Sequence, residues 1–250
     1  MLNQTLEKLS AMRLPVMEQE LRRQTELPAM RELSFEERMA MLVDAEWLAR
    51  QNNKLSRLRK AATLRNPEAC LEDVDYAPAR KLDRAQIARL SDCSWVKESR
   101  NLFITGACGT GKTWLASAFG DAACRQGLKV KNCRMGRLLN DLLAARNEGA
   151  WIKLLGELKK PDLLILDDFG LTPLDVIQCR DLLEIADDRY GKAATLITAQ
   201  LPVSAWHGVF ADATLADAVL DRLVHNAYRI EVHGPSKRPG LPPDASAKSP

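Results

Sequence analysis

The sequence predicts an α/β protein in which a parallel sheet with crossover helices follows a small all-helical segment. Before about residue 65, apolar residues recur every three or four positions, as in amphipathic helices. After residue 100, short apolar runs alternate with helical patterns, as in a parallel sheet. The chain has 250 residues, 46% hydrophobic and 28% charged, a composition typical of globular proteins with one or two domains.

Several classes of protein are disfavoured by composition. No apolar run approaches the roughly 18 residues that cross a bilayer, and the first residues, MLNQTLEKLS, lack the pattern of a secretory signal. The six cysteines are scattered without a CxxC pair, which argues against a disulfide framework or a zinc site. We therefore expect a cytoplasmic protein with no membrane partner. The net charge of +3 also argues against a nucleic-acid binder, although an average hides how charge is distributed.

The segment 1–66 is predicted to be a helical module that binds DNA or a partner. Pro15 interrupts its first helical pattern, since proline lacks an amide hydrogen. Ser34 and Glu37 form a predicted capping box, which starts a second helix that continues to about residue 60. The first helix is indicated by an apolar stripe of Leu2, Leu6, Leu9 and Met12.

The segment 101–234 is predicted to be the α/β core, with residues 67–100 as a linker and the start of that domain. The tail 235–250 is rich in proline, serine and charge, which is typical of disorder. Helices are predicted over 112–125, 135–147, 175–190 and 215–224. Strands are predicted over 101–105, 129–132, 162–167, 194–198 and 228–232.

The strongest chemical signal is a GxxxxGK[ST] motif between the first strand and a helix. Glycines let successive backbone amides cradle the β-phosphate of a nucleotide, and the helix adds the positive end of its dipole. Lys112 would bridge the β- and γ-phosphates, and the Thr113 hydroxyl would hold Mg²⁺. Cys108 lies where the backbone amide matters more than the side chain. The motif comprises Gly106, Ala107, Cys108, Gly109, Thr110, Gly111, Lys112 and Thr113.

Two carboxylates, Asp167 and Asp168, end the apolar run Leu163–Leu166. Ligands of open α/β sheets bind at the carboxyl edge of the strands, so both side chains are candidates for the nucleotide site. Asp167 is placed to hold Mg²⁺ through its water shell, and Asp168 to orient or deprotonate an attacking water. The alternative is a solvated strand end.

Two later residues have open interpretations. Gln200 follows the next strand and is placed to sense the γ-phosphate, or is an ordinary loop residue. Arg222 lies in a predicted helix, where it pairs with Asp217 or Asp221 or reaches the nucleotide of a neighbouring subunit. Periodicity alone favours the ion pair within the helix.

A stretch without acidic residues lies between Glu46 and Glu68. Arg50, Lys54 and Arg57 share one helix face, which suits sequence-independent contacts with the phosphates of duplex DNA. The alternative is a solvated helix face. With 5% aromatic residues, stacking of bases is poorly supported, and Trp47 is expected to pack. The candidate DNA-binding residues are Arg50, Lys54, Arg57, Arg59, Lys60 and Arg65.

Four segments in this order resemble the IstB family of insertion-sequence transposition helper ATPases. They are GACGTGKT, LLILDDFG, LITAQLPVSAWH and DRLVHNAYRIEVHG, preceded by FEER and DAEW in the helical region. The family is similar to DnaC-type helicase loaders and belongs to the AAA+ class. The resemblance covers roughly residues 5–234.

The resemblance implies a five-stranded AAA+ sheet, ATP as the nucleotide and a homo-oligomer on DNA that serves a partner transposase. It assigns Walker A to residues 106–113 and the Walker B magnesium carboxylate to Asp167. Asp168 takes the position of the catalytic acid, where many AAA+ proteins have glutamate, which suggests slow hydrolysis. Gln200 matches sensor 1, and Arg222 matches the arginine-finger segment, which now favours the role in a neighbouring subunit.

The family also leaves alternatives. A helicase loader has the same ATPase site, and a scaffold that binds ATP and DNA without turnover has the same motifs. A small-molecule kinase needs an arginine-rich lid after the third strand, which the sequence lacks.

The segment Gly234–Pro239 departs from the family pattern, because prolines flank Lys237 and Arg238. The departure puts a sensor role for Arg238 in doubt.

Overall fold

The computed structural model describes residues 2–237 and divides into two compact units. The first unit ends at Arg57 and the second begins at Leu58. The division falls nine residues before the predicted module boundary at 66, because residues 58–66 pack with the second unit. There, Arg59 forms an ion pair with Asp121 at 2.6 Å. The expectations for Arg238 and for most of the tail lie outside the described residues.

The first unit contains α1 (Leu2–Ala11), α2 (Pro15–Glu26) and most of α3 (Phe35–Ala62). Pro15 is the first residue of α2, where its fixed φ suits the helix and its missing amide hydrogen costs nothing. The predicted capping box is confirmed. The Glu37 amide donates to Ser34 Oγ at 3.2 Å, and the Ser34 amide donates to the Glu37 carboxylate at 2.8 Å.

Glu46 of α3 caps the N-terminus of α2. Its carboxylate accepts hydrogen bonds from the amides of Val16 and Met17 at 3.0 and 3.1 Å. Arg50 Nε donates to the same carboxylate at 2.8 Å, and this bond lowers the pKa of Glu46 below its ordinary value. Glu46 lies in the DAEW segment, so part of that segment has a structural role in joining two helices.

The second unit is built on five parallel strands in the order β2-β3-β4-β1-β5. Each predicted strand is present, with ends that differ by two residues or fewer. The parallel arrangement brings all five carboxyl ends to one edge of the sheet. The strands are β1 (Asn101–Thr105), β2 (Val130–Arg134), β3 (Leu163–Phe169), β4 (Ala194–Ala199) and β5 (Ala227–Glu231).

Helices connect these strands in the predicted crossover pattern. Two have the predicted bounds, α6 (Lys112–Arg125) and α7 (Met135–Asn147), and two begin within two residues of them, α9 (Val176–Arg189) and α10 (Ala213–Val224). No helix within residues 2–237 is long and apolar enough to span a bilayer. Three shorter helices are additional: α4 (Arg84–Leu90), α5 (Ser94–Lys97) and α8 (Trp151–Lys159).

Trp206 packs in the hydrophobic core beneath one face of the sheet. Its ring lies 4.8 Å from the ring of Phe103 on β1 and 4.7 Å from that of Phe169 on β3, between centroids. The indole N–H donates to the carbonyl oxygen of Leu201 at 3.1 Å, so the buried polar atom is satisfied. The tryptophan of the TAQLPVSAWH segment therefore packs the strands whose ends form the site.

We predict that Glu46→Gln loosens α2. The amide oxygen of glutamine is a weaker acceptor than a carboxylate for both the capping amides and Arg50, and losing such a charged hydrogen bond costs about 1.5–3 kcal/mol. Amide hydrogen exchange of residues 15–26 should accelerate. Low pH should have the same effect on the unsubstituted protein, because a carboxylate with a lowered folded pKa stabilises above its unfolded pKa and loses that effect as pH falls through the folded value.

The control is Glu32→Gln, at an exposed glutamate of the same unit. Equal exchange rates for residues 15–26 in both variants would contradict the capping role of Glu46.

Candidate nucleotide-binding site

The loop between β1 and α6 has the backbone geometry that the GxxxxGK[ST] motif predicts. Gly106 has a φ of 147°, and a Cβ there would lie 2.1 Å from the carbonyl oxygen of Val232. Gly111 has a φ of 92° and caps the N-terminus of α6, so the first helical residue is Lys112. These two positions require glycine, for close approach and for a left-handed backbone.

Lys112 and Thr113, the two functional side chains of the motif, are both held by hydrogen bonds. Lys112 is 7% exposed, and its Nζ donates to the carbonyl oxygen of Ala107 at 2.8 Å. The Thr113 hydroxyl donates to Asp167 Oδ1 at 2.8 Å. The loop thus places an ammonium group and a hydroxyl beside the carboxyl end of β3, where the sequence predicts the magnesium carboxylate.

Asp167 is buried and fully hydrogen-bonded, with 1% of its side chain exposed. Besides the Thr113 hydroxyl, the Thr198 hydroxyl of β4 donates to Asp167 Oδ1 at 2.6 Å. Arg65 donates to Oδ2 at 2.8 Å. A buried carboxylate needs such partners to remain charged, so three separate parts of the second unit converge on this one side chain.

Asp168 has a left-handed backbone with a φ of 65°. Aspartate and asparagine adopt this conformation more readily than longer residues, which gives a physical reason for aspartate where many AAA+ proteins have glutamate. The Asp168 amide donates to Thr198 Oγ1 at 3.0 Å, and the pairing of β3 with β4 shifts register here. Strained backbone of this kind is typical of functional sites.

The Asp168 carboxylate has two guanidinium partners. Arg65 lies 3.3 Å and Arg134 lies 3.1 Å from Asp168 Oδ2. Arg134 is the last residue of β2, at the same edge of the sheet. The hydrogen bond to Asp167 raises the pKa of Arg65 above its ordinary value. Arg65 therefore lies in the candidate nucleotide site, a position that helical periodicity within the segment 50–65 did not predict.

A cavity of about 430 Å³ opens beside the loop. Gln200 is exposed and lines it, at the end of β4 where the sequence predicts a residue near the γ-phosphate. Cys108 is also exposed and lines the cavity. The other lining residues are Asn66, Asp73, Asp75, Arg80, Gly109, Gly111, Lys112, Thr113, Trp114, Asp168 and Lys237.

Arg80 is a site residue that sequence reasoning missed. It is 7% exposed, and its guanidinium donates to the carbonyl oxygen of Thr110 at 3.0 Å, which holds the backbone of the loop. Its Nε has no hydrogen-bond partner among the described residues. No motif marks this arginine in the sequence, because it comes from the linker and reaches the loop only through the fold.

Arg222 does not pair with either aspartate of its own helix. It pairs with Asp187 of α9 and donates to the carbonyl oxygen of Ala218 at 2.7 Å. The predicted pairing with Asp217 or Asp221 is therefore wrong, because the guanidinium turns toward the neighbouring helix. About 31% of the side chain is exposed, and its role as an arginine finger stays a prediction.

The end of the described chain lies across the loop. The Lys237 amide donates to the carbonyl oxygen of Gly109 at 3.0 Å, and Lys237 Nζ pairs with Asp75. Lys237, which the sequence assigns to a disordered tail, is thus bonded to the nucleotide loop.

The six candidate DNA-binding residues fall into two groups. Arg59 and Arg65 hold the carboxylates of Asp121 and Asp167. The other four are exposed on α3: Arg50, Lys54, Arg57 and Lys60. Arg50 is partly engaged, with bonds to Glu46 and to the carbonyl oxygen of Arg13 at 2.9 Å.

Trp47 is also exposed on α3, with 61% of the residue accessible. The expectation that it packs is wrong for the single chain.

The site residues fit Mg²⁺ by the chemistry of their donors. Thr113 Oγ1 and Asp167 Oδ1 are hard oxygen atoms 2.8 Å apart, and Mg²⁺ prefers such ligands together with phosphate oxygens and water. No group of three His, Cys, Asp or Glu side chains within residues 2–237 forms a metal site of its own. The nucleotide and water would therefore have to supply the remaining ligands.

The five-stranded sheet, the phosphate-binding loop and the paired carboxylates define a P-loop nucleotide-binding protein of the AAA+ class. Solved structures with this fold include DnaI, the DnaC helicase loader and AMPPCP-bound DnaA from Aquifex aeolicus, at TM-scores of 0.57, 0.54 and 0.56. Their identities are 22%, 21% and 19%, and the matches cover 66%, 66% and 68% of this chain and 90%, 97% and 51% of theirs.

The chain belongs to the IstB-like ATP binding protein family, whose model matches residues 7–240. It is 44% identical to a putative insertion sequence ATP-binding protein of Sinorhizobium fredii, covering 94% of this chain and 95% of that one. It is 45% identical to the putative ATP-binding protein of insertion sequence IS1162 of Pseudomonas fluorescens, covering 82% and 88%. The family resemblance read from the sequence is confirmed.

We predict that Thr198→Val weakens nucleotide binding. The substitution keeps the side-chain volume but removes the hydroxyl that joins Asp167 to the Asp168 amide, which leaves buried polar groups unpaired at a cost of about 1–3 kcal/mol. Binding of AMPPCP with magnesium, measured by calorimetry, should weaken.

The matched control is Thr195→Val, at a buried threonine of the same strand whose hydroxyl accepts from Arg189 at 3.1 Å, away from the loop. Both variants should lose stability toward urea, and only Thr198→Val should lose nucleotide affinity. Equal affinities in the two variants would contradict the role of Thr198.

Proposed function

We propose that this protein is an ATP-dependent DNA-binding helper of transposition. It hydrolyses ATP to ADP and phosphate, assembles as a homo-oligomer on duplex DNA and directs a partner transposase. The observation that carries the ATPase proposal is the convergence of Thr113, Asp167 and Asp168 at the mouth of the phosphate-binding loop. The names of its relatives, which are insertion sequence ATP-binding proteins, support the transposition role.

The loop binds the triphosphate. Backbone amides of residues 106–113 and the positive end of α6 attract the phosphates. Lys112 exchanges its bond with the Ala107 carbonyl for the β- and γ-phosphates, where its charge offsets the charge of the transferring group. Arg80 keeps the loop in its binding shape through the Thr110 carbonyl. Preorganised donors of this kind stabilise a transition state without reorganisation.

In the proposal, Asp167 helps to hold the metal and Asp168 acts on the attacking water. Thr113 and Asp167 would hold Mg²⁺, which when bound neutralises charge on the phosphate oxygens. Asp168 orients the attacking water and accepts its proton, and its guanidinium partners Arg65 and Arg134 must leave a lone pair free for that step. Gln200 lies at the cavity where it can contact the γ-phosphate.

Arg222 supplies the link between nucleotide and assembly. In this proposal it leaves Asp187 and reaches the nucleotide of a neighbouring subunit, where it stabilises charge on the transferring phosphoryl group. Bound ATP then completes the interface between subunits, so that hydrolysis times assembly and release.

Two variants separate binding from hydrolysis. Lys112→Ala should abolish ATP binding, since the loop loses the cation that holds the phosphates. Asp168→Asn should retain ATP binding and lose phosphate release by about a hundredfold or more, because asparagine accepts the left-handed backbone but cannot take a proton. Phosphate release and ATP binding are measured separately, with and without duplex DNA.

Retained binding in Lys112→Ala would overturn the loop assignment. Absence of phosphate release from the unsubstituted protein under both conditions would overturn the enzyme proposal in favour of a scaffold that binds ATP without turnover.

The proposed DNA surface is the basic face of α3. Arg50, Lys54, Arg57 and Lys60 are exposed there, and binding of such a face to phosphates confers affinity that depends on salt and little on sequence. Arg59 and Arg65 are not part of this surface in the proposal, because neutralising Asp121 and Asp167 occupies them.

We predict that the triple substitution of Lys54, Arg57 and Lys60 by glutamine weakens duplex binding. The slope of log K against log salt should fall by about one for each phosphate that the variant no longer neutralises. Arg50 is left in place because its substitution would also disturb Glu46.

The control removes the same charge elsewhere, with glutamine at Lys153, Lys160 and Lys192, which are exposed lysines of the second unit. An unchanged slope in the α3 variant, or an equal decrease in the control, would contradict the DNA-binding role and show that this face is an ordinary solvated surface.

The helicase-loader alternative rests on the fold shared with the DnaC helicase loader. The gene context separates the two functions, since a transposition helper is expected beside a transposase reading frame. Stimulation of DNA strand transfer by the purified transposase from that frame would support the transposition role, and stimulation of helicase loading instead would overturn it.

A further inference from the structure

The guanidinium of Arg65 lies beside both carboxylates of the proposed magnesium site. Its guanidinium is 2.8 Å from Asp167 Oδ2 and 3.3 Å from Asp168 Oδ2. Asp167 has 1% of its side chain exposed, so the guanidinium supplies charge compensation that water cannot supply there. The same carboxylate has the hard oxygen atoms that suit Mg²⁺ beside Thr113.

Two cations cannot share this carboxylate without cost. Like charges a few ångströms apart repel each other, and the repulsion is stronger near a protein surface than in bulk water. Arg134 adds a second guanidinium at 3.1 Å from Asp168 Oδ2, which increases the positive potential around both acids. A divalent ion that approaches Asp167 therefore meets a site already neutralised by the chain itself.

The surroundings of Arg65 let its side chain leave while the backbone stays. The Thr63 hydroxyl donates to the carbonyl oxygen of Asn132 at 3.2 Å, and the Asn66 amide donates to Ser117 Oγ at 3.3 Å. These bonds hold the chain on both sides of Arg65. The Arg65 side chain is itself 44% exposed, so rotation about its own bonds takes the guanidinium into water.

We propose that Arg65 is a positioning residue of both Walker B carboxylates and competes with Mg²⁺ for Asp167. Without the metal, Arg65 compensates the charge of Asp167 and holds the Asp168 carboxylate beside Arg134. In the proposal, Arg65 leaves both carboxylates when Mg²⁺ is bound with nucleotide, so that Asp168 keeps only Arg134 as a guanidinium partner. This inference rests on the proposed ATPase function.

The test is the magnesium dependence of AMPPCP binding, measured by calorimetry over a titration of the metal. In Arg65→Gln, the magnesium concentration that gives half-maximal binding should fall by about threefold to tenfold, since one competing charge is gone. Arg65→Lys keeps the charge and should stay near the unsubstituted protein. Arg59→Gln is the matched control, because its ion pair with Asp121 lies in the same segment and should leave the magnesium dependence unchanged.

A second measurement uses the unsubstituted protein. Phenylglyoxal reacts with accessible guanidinium groups, so release of the Arg65 side chain should accelerate modification of Arg65 when AMPPCP and Mg²⁺ are both present, and not when AMPPCP is present with a chelator. Modification of Arg59 is the internal reference and should not change. Mass spectrometry of a protease digest identifies each modified arginine.

The competition is overturned if the magnesium concentration for half-maximal AMPPCP binding is unchanged or raised in Arg65→Gln. It is also overturned if modification of Arg65 does not depend on the metal. If the unsubstituted protein binds AMPPCP independently of Mg²⁺, the proposed metal role of Asp167 fails together with this inference. If that binding depends on Mg²⁺ and Arg65→Gln follows the unsubstituted protein, only the inference about Arg65 fails.

Discussion

The hydrogen bonding of the buried Asp167 carboxylate is the constraint on which the nucleotide site depends. Its oxygens accept from Thr113 after the loop, from Thr198 on β4 and from Arg65 before the core. A charged group with 1% of its side chain exposed is tolerated only when donors replace the missing water. The requirement therefore holds three distant parts of the sequence at one point.

The same requirement shapes the strand end beside it. Asp168 takes a left-handed backbone at the point where β3 and β4 change register, and its amide bonds to the Thr198 hydroxyl that also serves Asp167. The short side chain at this position follows from the backbone, and its carboxylate is directed at Arg65 and Arg134. Thr198 therefore has two roles, because its hydroxyl donates to the Asp167 carboxylate and accepts from the Asp168 amide.

Family-specific segments outside the P-loop have separable physical roles. In DAEW, Glu46 caps α2 while Trp47 is exposed on α3, so one residue stabilises the helical unit and the next remains available at its surface. In TAQLPVSAWH, Gln200 lines the cavity while Trp206 packs under the sheet. A motif of this length therefore combines scaffold and site residues that sequence similarity alone does not distinguish.

The sequence by itself determined the α/β class, the strands, the phosphate-binding loop and the position of the paired carboxylates. These follow from local periodicity and from glycine, lysine and aspartate at fixed spacings, which constrain the backbone over a few residues. Only the tertiary structure decided the partners of Arg65, Arg80 and Arg222, because a guanidinium reaches several ångströms and its partners lie up to 103 residues away. Charge spacing along a helix places arginines on one face, whereas the fold decides which carboxylates they meet.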